Sequence, residues 1–130
     1  MKYLFSILFI ALTQFACAQN STSNSLDIDL EKIKGTWVID LRPSPGSAAH
    51  VQEFTIEPRK GNQFGGTFYG SEFKNGYFNL NWEVVYFGFS SRDGSNDYYH
   101  SGYVKDGKIY GVTYCPGREF TIPWAGERKE

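Results

Sequence analysis

From Gly35 onward the chain alternates apolar and polar residues with a period of two. Trp37, Ile39 and Leu41 fall on one side of a strand, and Thr36, Val38 and Asp40 on the other. Phe54 and Ile56 oppose Glu53, Thr55 and Glu57. Phe78, Leu80 and Trp82 oppose Asn79 and Asn81, and Phe120, Ile122 and Trp124 oppose Glu119 and Thr121. The pattern predicts strands near 36–41, 51–57, 64–69, 77–82, 83–90, 97–105, 108–114 and 119–125. The stretch 83–90 either begins a new strand or continues the one before, so seven or eight strands are expected.

Turn residues punctuate these runs. Arg42-Pro43-Ser44-Pro45-Gly46 reads as a loop, Lys60-Gly61-Asn62 and Asn75-Gly76 as turns, and Asp93-Gly94 as part of a polar loop. Asp106-Gly107, between Tyr103-Val104 and Ile109-Tyr110, is the clearest two-residue hairpin. One apolar and one polar face per strand is the signature of an antiparallel sheet around its own core. Short connections make it a meander, and closure into a barrel removes exposed sheet edges.

Before Gly35 the pattern changes. Lys2, an apolar run of ten residues over 3–12 and the small-x-small site Ala16-Cys17-Ala18 have the layout of a secretory signal peptide. The run is too short to span a bilayer. Cys17 offers a rival, lipidation after cleavage just before it, but Gln14 and Phe15 suit such a site poorly. The expected organisation is a signal over 1–18, a polar leader over 19–25 and one β-barrel domain over 26–130. Where leader and domain meet, residues 25–34 can form one or two helical turns, with Leu26, Leu30 and Ile33 on one face. The protein is expected to be exported, to the periplasm or the exterior, with no transmembrane span once the signal is removed.

Composition sharpens the fold class. Of 130 residues, 112 follow Ala18, one domain's length. In them leucine and alanine shrink to Leu26, Leu30, Leu41, Leu80, Ala48, Ala49 and Ala125, whereas aromatic and β-branched residues abound. An all-β domain follows, and helical bundles and doubly wound folds are excluded. The net charge of -1 becomes -2 when Lys2 is removed, and no block of like charge tracks a phosphate backbone. Nucleic acid is therefore not an expected partner, and no protein partner is identified.

Gly35-Thr36-Trp37 at the first strand, behind a short helical turn, resembles the opening of the calycins: lipocalins, fatty-acid-binding proteins and avidins. The closing segment Phe120-Thr121-Ile122-Pro123-Trp124-Ala125-Gly126-Glu127-Arg128 resembles the last strand of small bacterial lipocalin-like domains. Gly65-Gly66-Thr67 and Gly111-Val112-Thr113 are similar to the Gly-Thr steps of such barrels. The resemblance covers 35–128. It implies a small up-and-down antiparallel β-barrel, with Arg128 packed over Trp37 to seal one end. The lipocalin Thr-Asp-Tyr motif is absent, and the chain is shorter than a true lipocalin.

Catalytic signals are sparse. There is no Gly-x-Ser-x-Gly, and His50 and His100 are the only histidines. His100 sits on the strand face opposite Tyr99 and Tyr103, where a hydrogen-bonded structural role is favoured over haem ligation. Asp93-Gly94-Ser95-Asn96-Asp97 begins like a calcium loop but places Tyr98 where glycine belongs. Cys115 reads as an incidental small residue beside Pro116-Gly117. No metal, cofactor or catalytic residue is expected, and the protein reads as a non-enzyme.

Eight tyrosines remain after the signal, and a tyrosine pairs an apolar body with a polar tip, as small-molecule pockets need. The leading expectation is a barrel mouth that binds a small apolar or aromatic molecule. Its expected lining is Trp37, Phe54, Phe68, Tyr86, Tyr99, Tyr110 and Trp124. The alternative is an envelope accessory or protein-interaction module with a side-chain-filled barrel. Inward rings in a wall of ~20–26 Å would leave a cavity near or below ~300 Å³.

Overall fold

The structure, a computed structural model, describes residues 30–130. The expected signal and leader, Cys17 and the first part of the expected helical turn lie outside the described residues. A single 3-10 turn, Leu30–Lys32, leads into the first strand. Ten strands follow: β1 (Gly35–Asp40), β2 (Val51–Pro58), β3 (Gln63–Gly65), β4 (Thr67–Phe68), β5 (Ser71–Glu72), β6 (Lys74–Asn79), β7 (Val85–Arg92), β8 (Asp97–Lys105), β9 (Lys108–Cys115) and β10 (Phe120–Arg128). A second 3-10 turn, Pro116–Arg118, joins the last two.

Eight of these strands close an antiparallel barrel in the order β1-β10-β9-β8-β7-β6-β3-β2, with β2 returning to β1. The β4–β5 hairpin extends the wall beyond the upper half of β2. This is the all-β, up-and-down antiparallel barrel that the alternation predicts, and it is compatible with a calycin-like fold. No helix among the described residues is long and apolar enough to cross a membrane.

The differences from the sequence reading are local and have physical causes. The predicted strand 64–69 is broken at Gly66, whose φ is +141°. A Cβ there would lie 2.0 Å from the Thr55 carbonyl oxygen, so only glycine fits. Across the break, Thr55 Oγ1 meets Thr67 Oγ1 at 2.8 Å and accepts from the Thr67 amide at 2.6 Å. Asn75-Gly76, expected as a turn, lies inside β6 as an irregularity in its register with β7. The tight hairpin sits instead at Tyr69-Gly70, both with positive φ. Trp82 falls past the end of β6 and is 63% exposed, so it does not share the buried face of Phe78.

The inward positions hold a phenylalanine core. Phe54 is fully buried at its centre, with the rings of Phe68, Phe73, Phe87, Phe89 and Trp124 at 5.0–5.9 Å. Phe64 stacks on Phe78 at 4.3 Å. Room for the larger rings comes from inward glycines: a Cβ on Gly111 would lie 2.2 Å from the Trp124 indole.

Candidate functional site

The two ends of the barrel are built differently. At one end the Leu30–Lys32 turn lies across the opening and buries Ile33, whose carbonyl accepts from Trp37 Nε1 at 2.9 Å. Arg128 donates to the carbonyls of Lys32 and Lys34, and its guanidinium carbon sits 5.0 Å from the Trp37 ring centroid. One side chain thus satisfies carbonyls of the turn and covers the first-strand indole.

The opposite end is open. The β1–β2 loop, the Tyr69-Gly70 turn, the β7–β8 loop and the Pro116–Arg118 turn surround a cavity of about 680 Å³. Leu41, Pro43, Phe68, Phe120 and Ile122 form its apolar wall, and Ser91, His100 and Thr113 its polar floor. His50, Tyr69, Arg92, Asp93, Tyr98 and Arg118 line its rim. The volume exceeds the expectation from sequence because the bulky inward rings collect lower in the barrel. At the mouth the inward places on β7 and β9 go to the short side chains Ser91 and Thr113.

His100 is buried with its ring 4.4 Å from Phe89, nearly parallel, and 4.3 Å from Phe68. Burial among these rings pushes its pKa down from 6.5 to about 4, so it is neutral at pH 7. Its Nε2 meets Ser91 Oγ at 2.8 Å and its Nδ1 meets Thr113 Oγ1 at 2.8 Å. Thr113 Oγ1 also accepts from Trp124 Nε1 at 3.0 Å. Period-two geometry explains the assembly: His100 and Thr113 are direct cross-strand partners, and Ser91 points inward two positions beyond Phe89.

The rim is tied by charge. The Tyr98 hydroxyl donates to Asp93 Oδ2 at 2.6 Å and accepts from Arg118 at 3.1 Å. That hydroxyl, with the amides of Ser95 and Asn96, holds the Asp93 carboxyl down at about 2. Asp93 oxygens are thus occupied by the loop itself. Asp40 anchors the other rim loop. The Arg42 side chain and the His50 amide hold its carboxyl at about 2. His50 Nε2 meets the Tyr69 hydroxyl at 2.9 Å. Among the described residues no group of three or more histidine, cysteine or acidic side chains is placed to hold a metal. Cys115 is a free, fully buried thiol at the end of β9.

The residues expected to line a pocket divide into three groups. Phe68 lines the mouth. Trp37, Phe54 and Trp124 are buried in the packed core. Tyr86, Tyr99 and Tyr110 lie on the outer face, Tyr86 and Tyr99 each about half exposed. Their strand parity decides this: each is adjacent to a buried inward residue, Phe87, His100 and Ile109 respectively. Tyr86, Tyr103 and Tyr110 form an outer row, the last two stacked at 5.1 Å. Beside this row runs a groove of about 530 Å³ that also involves Val112 and Pro123. Of the mouth residues, Ser91 and Arg118 carry no sequence motif; Thr113 and Ile122 lie in segments that resemble calycin strands, and parity marks them as inward, but neither signal tells of an open end.

No known family model matches the chain, no curated protein is detectably similar to it, and no solved structure matches it.

Proposed function

We propose that this protein is an exported, calycin-like barrel whose open mouth binds a small, mostly apolar or aromatic molecule without transforming it. The observation that carries the reading is the cavity of about 680 Å³, within the ~300–1,000 Å³ usual for ligand pockets. It combines an apolar wall with a few convergent polar groups. The sealed opposite end makes the mouth the entrance.

Ser91 and His100 are within reach of each other as nucleophile and base, yet the environment argues for binding. A proton taken by His100 would place a charge between Phe68 and Phe89, and its partner at Nδ1 is a threonine rather than a carboxylate. Native mass spectrometry of the purified protein tests for a co-purified molecule. An environment-sensitive naphthalene dye tests the site directly: Ile122→Trp, which fills the mouth, should weaken dye binding about tenfold or more. Equal binding by the folded variant overturns the reading.

A second reading, a protein-interaction module, draws on the outer tyrosine row and its groove. In that case Tyr103→Ala abolishes partner capture while dye binding in the mouth is unchanged.

A further inference from the structure

We infer, resting on the mouth as a ligand pocket, that its occupant presents a hydrogen-bond acceptor such as a carbonyl oxygen to Ser91, and is selected for it. Trp124, Thr113, His100 and Ser91 form one chain of three hydrogen bonds. The indole, the two hydroxyls and a neutral imidazole bring four polar hydrogens to those three bonds. One hydrogen is left over. Neither hydroxyl has a further acceptor among the described residues.

The direction of the chain follows from its ends. The Trp124 indole can only donate, so Thr113 accepts from it. Ser91 is half-buried at the cavity, whereas Thr113 is 5% exposed. A leftover hydrogen on Ser91 meets water when the mouth is empty, and one on Thr113 is poorly solvated. Thr113 therefore donates to His100 Nδ1, Nε2–H donates to Ser91 Oγ, and the Ser91 hydroxyl hydrogen faces the cavity. His100 is neutral at pH 7 because burial holds its pKa near 4, which keeps the count at four. This tautomer also leaves Nε2 without a lone pair for Ser91, so the same geometry that selects an acceptor disables His100 as its base.

An apolar molecule that displaces the mouth water strands this hydrogen, and one with an oxygen in reach pairs it. The expected discrimination is about 10–100-fold. The test uses a naphthyl methyl ketone, the isopropenyl naphthalene of the same shape, and a naphthol, titrated into the full protein by calorimetry. The ketone should bind about 10–100-fold tighter than the hydrocarbon. Its carbonyl stretch should shift to lower frequency than in alkane solvent. Ser91→Ala should reduce the ketone's advantage over the hydrocarbon to about threefold or less, because the next donor, His100 Nε2, lies one hydrogen-bond length behind the Ser91 hydroxyl. Nitrogen-15 spectra of His100 should show the Nε2–H tautomer. Ketone and hydrocarbon binding equally, a naphthol binding tighter than the ketone, or an undiminished ketone advantage in Ser91→Ala overturns the inference while leaving the pocket standing. Failure of all three probes to bind overturns the pocket itself.

Discussion

The two ends of this barrel use the same strands and the same period-two alternation, but with opposite results. At the sealed end, inward positions carry Trp37, Ile56, Phe78 and Phe87, and a charged side chain from the last strand lies over the tryptophan. At the open end, the same strands continue into Leu41, Ser91, His100 and Thr113, and the rings give way to a cavity. The base stabilises and the mouth is left free to be shaped. Hydrophobic burial concentrated in half a barrel can hold a domain together. The other half can then carry polar groups that contribute little to folding.

The largest effect belongs to the centre of the packed half. Phe54→Ala removes a fully buried ring that touches five other aromatic rings. Loss of about 3–5 kcal/mol is expected, read as a drop in urea midpoint at unchanged slope. A loss below about 1 kcal/mol would mean that the aromatic half is not the seat of stability.

Next comes the buried histidine at the boundary between the halves. Its pKa is about 4 in the fold against 6.5 in the open chain. Between those values the unfolded chain binds the proton and the folded one does not. Stability is therefore fully present above about pH 6.5, falls as pH drops toward 4, and has lost on the order of 3 kcal/mol there. Asp40 and Asp93, each held at about 2, lose their contributions only at lower pH. Urea midpoints measured across this window in the natural protein and in His100→Gln check it. The variant should show a much flatter curve, and an equal slope in both would place the linkage elsewhere.

Much of the fold is legible in the sequence, because alternation reports a side chain's face directly. The alternation put Trp37, Phe54, Phe78 and Trp124 on the apolar faces, where the structure buries them, and Asp106-Gly107 marked its hairpin. The failures came where a local signal competes with geometry set by distant residues. Asn75-Gly76 has the chemistry of a turn but sits inside β6, where the Gly76 backbone passes close to the Phe64 carbonyl. Trp82 continued an alternating pattern past the point where the strand ends. The candidate site was far less legible. Ser91, Thr113 and Arg118 come together only because β7, β8 and β9 end at the same rim, and no spacing in the chain encodes that. Tyrosine's chemistry suits pockets, yet parity faces Tyr86, Tyr99 and Tyr110 outward.

A smaller effect is expected at the seal. Arg128→Met removes the guanidinium over Trp37 and its donations to the turn carbonyls. Arg128 is exposed, so solvent weakens each contact, and about 1–2 kcal/mol is expected in total. Hydrogen exchange should quicken at the Ile33 and Lys34 amides, which are bonded to the Leu30 carbonyl, before it quickens in β8. Uniform quickening across the barrel would show that the turn and the core open together.

The smallest effect is expected at the corresponding contact of the mouth. His50 meets Tyr69 across the rim much as Arg128 meets Trp37 at the base, with a hydrogen bond of 2.9 Å and ring centroids 5.5 Å apart. Both partners are exposed. His50→Gln should change stability by no more than about 0.5 kcal/mol. Exchange at the Tyr69 and Gly70 amides should nevertheless rise, because the turn loses a tether that does not depend on the core. The dissociation rate of a probe bound in the mouth should rise with it. A destabilisation as large as that of Arg128→Met would mean that the rim is part of the folding unit, and that the two ends are equivalent in stability despite their different fillings.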